Sequence, residues 1–255
     1  MPTNYLGFNV SIGQKKPENI INTTAKCPFC DRTALTDIIA EEDDLLLIKN
    51  KYQVLQNSEQ TVLIETRDCN SELSEYSKEH LYKLIKFGVK HWFKMYASNL
   101  YKSVLFFKNH GPLSGGTIRH PHMQIVGLTD IDCYSDLDPK EFEGVVIQRS
   151  NGVELNVSTY PKIGFSEFNI VMDDNKNLEQ LADYIHVAAH YLLHNGPHTH
   201  CKSYNIFFYL IDGLIRVKIL PRFATSPLFI GYNIHLIPTN IETIVKNVQK
   251  LYFSK

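Results

Sequence analysis

The sequence predicts an α+β fold of two halves, each an antiparallel sheet with a packed helix, the second half a degenerate copy. Three observations carry this. Short apolar runs bounded by Gly, Pro, Asn and Asp recur along the chain and read as strands. Two longer segments, Ser71–Leu100 and Asn177–His194, place apolar residues at helical spacing instead. The order of elements in residues 1–138 then returns in residues 139–255, with the polar, turn-like Asp130–Pro139 at the boundary.

Residues 1–26 read as an irregular arm. Leu45–Ile48 and Thr61–Glu65 follow as strands. In Ser71–Leu100, Leu81, Leu84, Ile85, Val89, Trp92, Phe93 and Tyr96 form a core stripe, and Ser77 is a fair N-cap. His80 and His91 read as surface or helix-flank residues. Val104–Phe107 and His120–Leu128 are two further strands joined by a loop rich in Gly, Pro, Ser and Thr.

In the second half, Gly144–Gln148 and Val153–Ser158 form a hairpin around Asn151-Gly152, a strong turn signal. A strand near Phe165–Met172 comes next. The helix Asn177–His194 carries Leu178, Leu181, Ile185, Ala188, Ala189 and Leu192 on one face, and strands Tyr204–Ile211 and Leu214–Leu220 close the pattern. Ile206-Phe207-Phe208 echoes Leu105-Phe106-Phe107, and Ile215–Ile219 stands where Ile118–His122 stood. The copy has no histidine there, so only the first half can host histidine chemistry.

Composition bounds the function. The net charge of −1 suggests neither a nucleic-acid polymer nor a membrane surface as partner. No run of about twenty apolar residues is present, so no transmembrane helix is expected. Met1–Pro17 lacks a hydrophobic signal core, which points to a cytoplasmic chain. The 5 cysteines include Cys27-Pro28-Phe29-Cys30, which reads as a metal or redox pair rather than part of a disulfide framework. Two thiolates make half of a tetrahedral zinc site. A thioredoxin-like pair is the rival, although its strand–helix context is missing.

The stretch with most chemistry is Lys108–Leu128. Side chains alternate along a strand, so His120, His122 and Gln124 share one face of a segment otherwise built for burial. Such a polar row needs partners. Core histidines bonded to carbonyls are one answer. The other is a phosphate, since the preceding loop, Gly111 to Thr117, offers free N–H groups beside the histidines.

With Phe107, Asn109 and Gly111, then Gly115, Gly116 and Thr117, then His120-Pro121-His122-Met123-Gln124, the chain resembles the galactose-1-phosphate uridylyltransferase family, a branch of the histidine-triad (HIT-like) superfamily. The resemblance implies two HIT-like halves, a homodimer and a nucleotide-sugar or other nucleotide substrate. It implies a structural zinc on Cys27, Cys30, Cys69 and His120, with Cys69 standing where the family has a histidine. Asn50 matches a position that lies against the nucleoside, while Lys51 departs from the family's acidic residue. Gly13–Pro17 is similar to the family's basic, proline-ended arm. Arg222, Gly231 and Tyr232 match a tail segment that helps bind the sugar phosphate, but Asn233 replaces its glutamate, so galactose is not supported. Arg216-Val217-Lys218 stands where that family often carries an iron site ending in H-x-H, so no iron is expected.

The implied chemistry is nucleotidyl transfer by double displacement. His122 is the nucleophile, its neutral ring able to attack phosphorus near neutral pH. Asn109, Gly115, Gly116 and Thr117 surround the phosphates with donors. Gln124 stands where histidine-triad hydrolases carry histidine. It can bond a phosphoryl oxygen but cannot protonate a leaving group, which suits a weakly basic phosphate leaving group. Two readings stay open beside this: a phosphorylase acting on an ADP-sugar or dinucleoside polyphosphate, and a nucleotide-binding module without turnover. The row His186, His190 and His194, with His198 and His200 beyond, reads either as a divalent-metal site or as a histidine-rich helix flank.

Overall fold

The computed structural model describes residues 5–197 and 201–254, in two compact units. The first unit spans Met1–Glu72 and Glu79–Leu137, and the second spans Leu73–Lys78 and Asp138–Lys255.

The first unit opens with a helical turn, α1 (Val10–Gly13), and three strands: β1 (Ile38–Glu42), β2 (Leu45–Lys49) and β3 (Ser58–Ile64). Helix α2 (Lys78–Ala97) leads to β4 (Ser103–His110) and β5 (His122–Leu128). The strands lie in the order β1-β2-β3-β5-β4, every neighbouring pair antiparallel. In the ladder Gln124 stands between Val62 and Phe107, and Ile64 pairs with His122. The two-residue period then sends Met123 and Ile125 to the opposite face, where both are buried.

The apolar stripe of α2 covers that buried face. Trp92 is fully enclosed, its Nε1 donates to the Val104 carbonyl (2.9 Å), and its ring lies 5.8 Å from that of Phe106. Pairing the indole N–H removes the main cost of burying this residue. His91 departs from expectation. It is buried, against the Phe87 ring (4.5 Å), because a 3.6-residue period sets it beside the stripe at Leu84, Gly88 and Met95. Strand β1 carries almost no sequence signal. It is an edge strand exposed along most of its length, and its link to β2 turns at Asp43 (φ 53°) without glycine.

The second unit contains β6 (Gly144–Ser150), β7 (Val153–Ser158), β8 (Phe168–Met172), α3 (Leu178–His190), β9 (Tyr204–Ile211) and β10 (Leu214–Pro221). Two C-terminal helices follow, α4 (Pro227–Tyr232) and α5 (Ile241–Val248). Its strands lie in the order β9-β10-β8-β7-β6, again antiparallel. Asn151 (φ 52°) and Gly152 (φ 73°) make the hairpin turn with both central residues left-handed, as Asn-Gly favours. Helix α3 gives way at Tyr191–Asn195 to a wider π-helical turn.

Where Phe107 faces Gln124 in the first ladder, Phe208 faces Val217 in the second. Ile215, Val217 and Ile219 are fully buried and apolar. The second sheet instead buries Lys218, whose ammonium meets Glu167 (3.1 Å), Asn169 Oδ1 (2.9 Å) and the Glu141 carbonyl (2.7 Å). A buried charge needs such partners.

Candidate active site

The first unit holds a cavity lined by Asn50, Asn109, Gly115, Gly116 and Thr117, with His122 and Gln124 on its strand wall. The catalytic and phosphate-binding positions read from the sequence therefore converge. Gly115 needs its residue type, because its φ of 87° is a conformation side-chain-bearing residues rarely adopt. Asn50 turns its chain by accepting from Tyr52 N (2.9 Å), while Lys51 is exposed and outside the lining.

His122 is held by its own strand. Its Nδ1 lies 2.8 Å from the His120 carbonyl, which can only accept, so Nδ1 carries the proton and Nε2 keeps a lone pair. Burial pushes its pKa down to about 4, the His120 carbonyl opposes this, and the nearby Lys108 adds to it. The ring is neutral near pH 7 in these surroundings.

Beside it, Cys27, Cys30, Cys69 and His120 bring their ligand atoms within 4.8 Å of one another. His120 Nε2 donates to the Thr66 carbonyl (2.8 Å), leaving Nδ1 to face Cys27 Sγ (3.5 Å) and Cys30 Sγ (3.7 Å). Arg32 donates to the same Thr66 carbonyl (2.7 Å) and fixes it. Burial raises the Cys27 thiol, with Cys69 adding to the rise and Cys30 opposing it, and burial lifts that of Cys30 to about 12, with Cys27 and Cys69 adding to it. Three thiols packed around one imidazole nitrogen gain little from each other. A metal ion reverses this, since a coordinated thiol ionises outright. The four residues fit a tetrahedral cation.

Several lining residues carried little or no sequence signal. Phe29, inside the Cys-x-x-Cys loop, sets its ring edge-on to both His120 (5.9 Å) and His122 (5.5 Å). Lys16 and Pro17 of the arm also reach the cavity, as do Tyr52 and Ile118. The arm is tied down by Asn19, whose N–H donates to the Thr117 carbonyl (2.9 Å) and whose Oδ1 accepts from Arg119 N (2.7 Å). The basic Gly13–Pro17 piece was the one available hint.

Arg222, Tyr232 and the histidine row all belong to the second unit. Arg222 donates to Asn205 Oδ1 (2.8 Å). Tyr232, in α4 of that unit, is 75% exposed. In the histidine row, His190 commits Nδ1 to the Tyr252 hydroxyl (2.7 Å), and the His186 and His190 rings stack 6.0 Å apart. His198 and His200 lie outside the described residues.

A DUF4931 family protein from Bacillus cereus is 39% identical, with a TM-score of 0.78 over 86% of this chain and 100% of that one. An ADP-glucose phosphorylase from Arabidopsis thaliana, solved with bound ADP-glucose, has a TM-score of 0.73 at 14% identity over 99% of this chain and 97% of that one. A uridylyltransferase has a TM-score of 0.69 at 15% identity, covering 89% and 90%. At such identities the likeness shows a shared fold, that of the galactose-1-phosphate uridylyltransferase-like proteins. A di-/tripeptide transporter from Lactobacillus helveticus is 32% identical over 90 residues, 35% of this chain and 18% of the transporter's length. Among the described residues no helix is long and apolar enough to cross a membrane. Profiles of the N-terminal and C-terminal domains of unknown function DUF4931 match residues 8–131 and 134–253, and with both halves matched the chain belongs to the DUF4931 family.

Proposed function

We propose that the protein is a nucleotidyltransferase that moves a nucleoside monophosphate between phosphate-type acceptors, such as a nucleoside diphosphate sugar and a sugar 1-phosphate, through a nucleotidyl-histidine. The observation that carries this reading is the His122 ring, tethered at Nδ1 by the His120 carbonyl (2.8 Å) and lining the same cavity as the Gly115–Thr117 loop.

In the first step the Nε2 lone pair attacks the α-phosphorus. An N–P bond forms, the P–O bond to the departing phosphate breaks, and the leaving group takes the bonding pair. In the second step an acceptor phosphate oxygen attacks the same phosphorus and returns the pair to Nε2. Nδ1 keeps its proton throughout, donated to the His120 carbonyl, which stabilises the positive charge of the substituted ring. Thr117, Asn109 and the loop N–H groups serve the non-bridging oxygens, and Lys16 adds a cation. Gln124 bonds a phosphoryl oxygen without acting as an acid, which suits a leaving group that needs no proton. Asn50 and Tyr52 stand on the nucleoside side.

Zinc is the metal this reading assigns to Cys27, Cys30, Cys69 and His120. Bond lengths of about 2.3 Å to sulfur and 2.0–2.1 Å to nitrogen put the two atoms about 3.5 Å apart in a tetrahedron. The Cys27–His120 and Cys30–His120 separations of 3.5 and 3.7 Å agree. With four protein ligands the ion supplies rigidity. A homodimer in the cytoplasm completes the proposal by analogy with the resembled family. So does a division into a catalytic half, residues 1–138, and a second half, residues 139–255, that lends Arg222 and Tyr232 to the sugar phosphate.

The activity test supplies UDP-, ADP-, GDP- or CDP-glucose together with a panel of hexose 1-phosphates or with inorganic phosphate. A new nucleoside diphosphate sugar marks a transferase, and release of nucleoside diphosphate marks a phosphorylase. Product from neither acceptor with any donor, in metal-replete protein, would overturn catalysis and favour a binding module.

A further inference from the structure

The first unit has a second cavity, on the sheet face opposite His122. Thr61 and Ile125 line it, and their strand neighbours Val62 and Gln124 line the first cavity. It is the larger of the two, ≈ 210 Å³ against ≈ 90 Å³. That volume accommodates a single small ring system. Met95, Leu100 and Ile125 supply apolar walls.

Three polar features are built into these walls. Tyr101 lies over Gly127, where any added side chain would come within 2.5 Å of the phenol ring. The glycine thus lets the ring lie flat and present its hydroxyl to Glu59 Oε2. Glu59 Oε1 has no partner among the described residues. His91 is only 8% exposed, and nothing among the described residues hydrogen-bonds either ring nitrogen. A side chain as enclosed as His91 is usually paired, and its open ring nitrogens beside the half-buried Glu59 carboxylate give the cavity a polar wall for an occupant.

We propose that this cavity is a second ligand site, separate from the one at His122, for a small amino-substituted nitrogen heterocycle of the aminopurine or aminopyrimidine type. The exocyclic amino group donates to Glu59 Oε1. A ring nitrogen accepts from His91 or from Lys94 at the rim, which also disfavours a cationic amine. The flat ring stacks between Met95 and Ile125. The chemistry at His122 does not depend on it, so the site stands or falls without the proposed activity.

The test titrates adenine, and purine as the analogue lacking the amino group, into the full-length protein, with binding followed by calorimetry. The account expects saturable adenine binding, with purine weaker on the order of tenfold for the lost charge-assisted hydrogen bond. Glu59→Gln and His91→Phe should each weaken adenine similarly. The second variant keeps ring packing on Phe87, so it remains informative if the first fails to fold. No saturable adenine binding to folded wild-type protein would overturn the proposal. So would binding unchanged in both variants, which would put adenine elsewhere, including the His122 cavity.

Discussion

Phe29 stands edge-on to His122, ring centroids 5.5 Å apart and planes at 71°, from within the loop that carries Cys27 and Cys30. The Cys27–Cys30 loop and the proposed nucleophile therefore share a wall. Phe29→Ala should retain the metal yet slow modification of His122 by a nucleotide donor on the order of tenfold to a hundredfold, since the ring is free to leave its attack geometry. Metal analysis and rapid-quench mass spectrometry separate the two effects.

Cys69 completes the cluster from a different segment. Freshly purified protein should carry about one zinc per chain, and Cys69→Ser should hold much less and melt several degrees lower, because metal binding is folding free energy. Full zinc content and an unchanged melting temperature in that variant would remove Cys69 from the ligand set.

Glu65 and Lys108 form an ion pair that is fully buried on both sides. Glu65→Gln leaves an ammonium without its counter-charge, and the expected cost is about 3–5 kcal/mol. The double variant Glu65→Gln/Lys108→Met should recover a large part of that in urea unfolding. Additive losses would argue against the pair acting as a unit.

His110 gives the fold a pH dependence. Burial holds its pKa down to about 4, with the Glu72 charge opposing the shift and Lys108 adding to it. The unfolded chain protonates this histidine near 6.5 and the folded chain only near 4. The stability is thus fully present above pH 6.5 and falls as pH drops toward 4, by up to about 3 kcal/mol at 1.36 kcal/mol per unit. In His110→Asn the fall across that window should be shallower, measured by urea midpoints at each pH. Equal slopes would count against a neutral, half-buried His110.

The part of the site on regular structure was legible from pattern, and the loop residues were legible through the motif they form. His122 and Gln124 follow from strand alternation on β5, whereas His120 lies just before that strand and Cys69 was marked only by the family resemblance. Phe29 was not legible as a lining residue, and Lys16 only through the resemblance of Gly13–Pro17 to the family's arm. Their segment has no periodicity, and its course is set by single hydrogen bonds such as Asn19 to Thr117 and Arg119. The edge strand β1 escaped notice because an exposed strand has no reason to alternate. Helix α5 did carry a signal, in Ile244, Val245 and Val248, all buried.

The measurement that tests the central claim most directly is the mass of the intact protein after brief incubation with UDP-, ADP-, GDP- and CDP-glucose in turn. A gain equal to one nucleoside monophosphate with one of these donors, absent in His122→Asn, is the predicted result, and it also identifies the base. A gain that persists in His122→Asn, or no gain with any donor in zinc-loaded protein that binds nucleotide, would contradict the nucleotidyl-histidine.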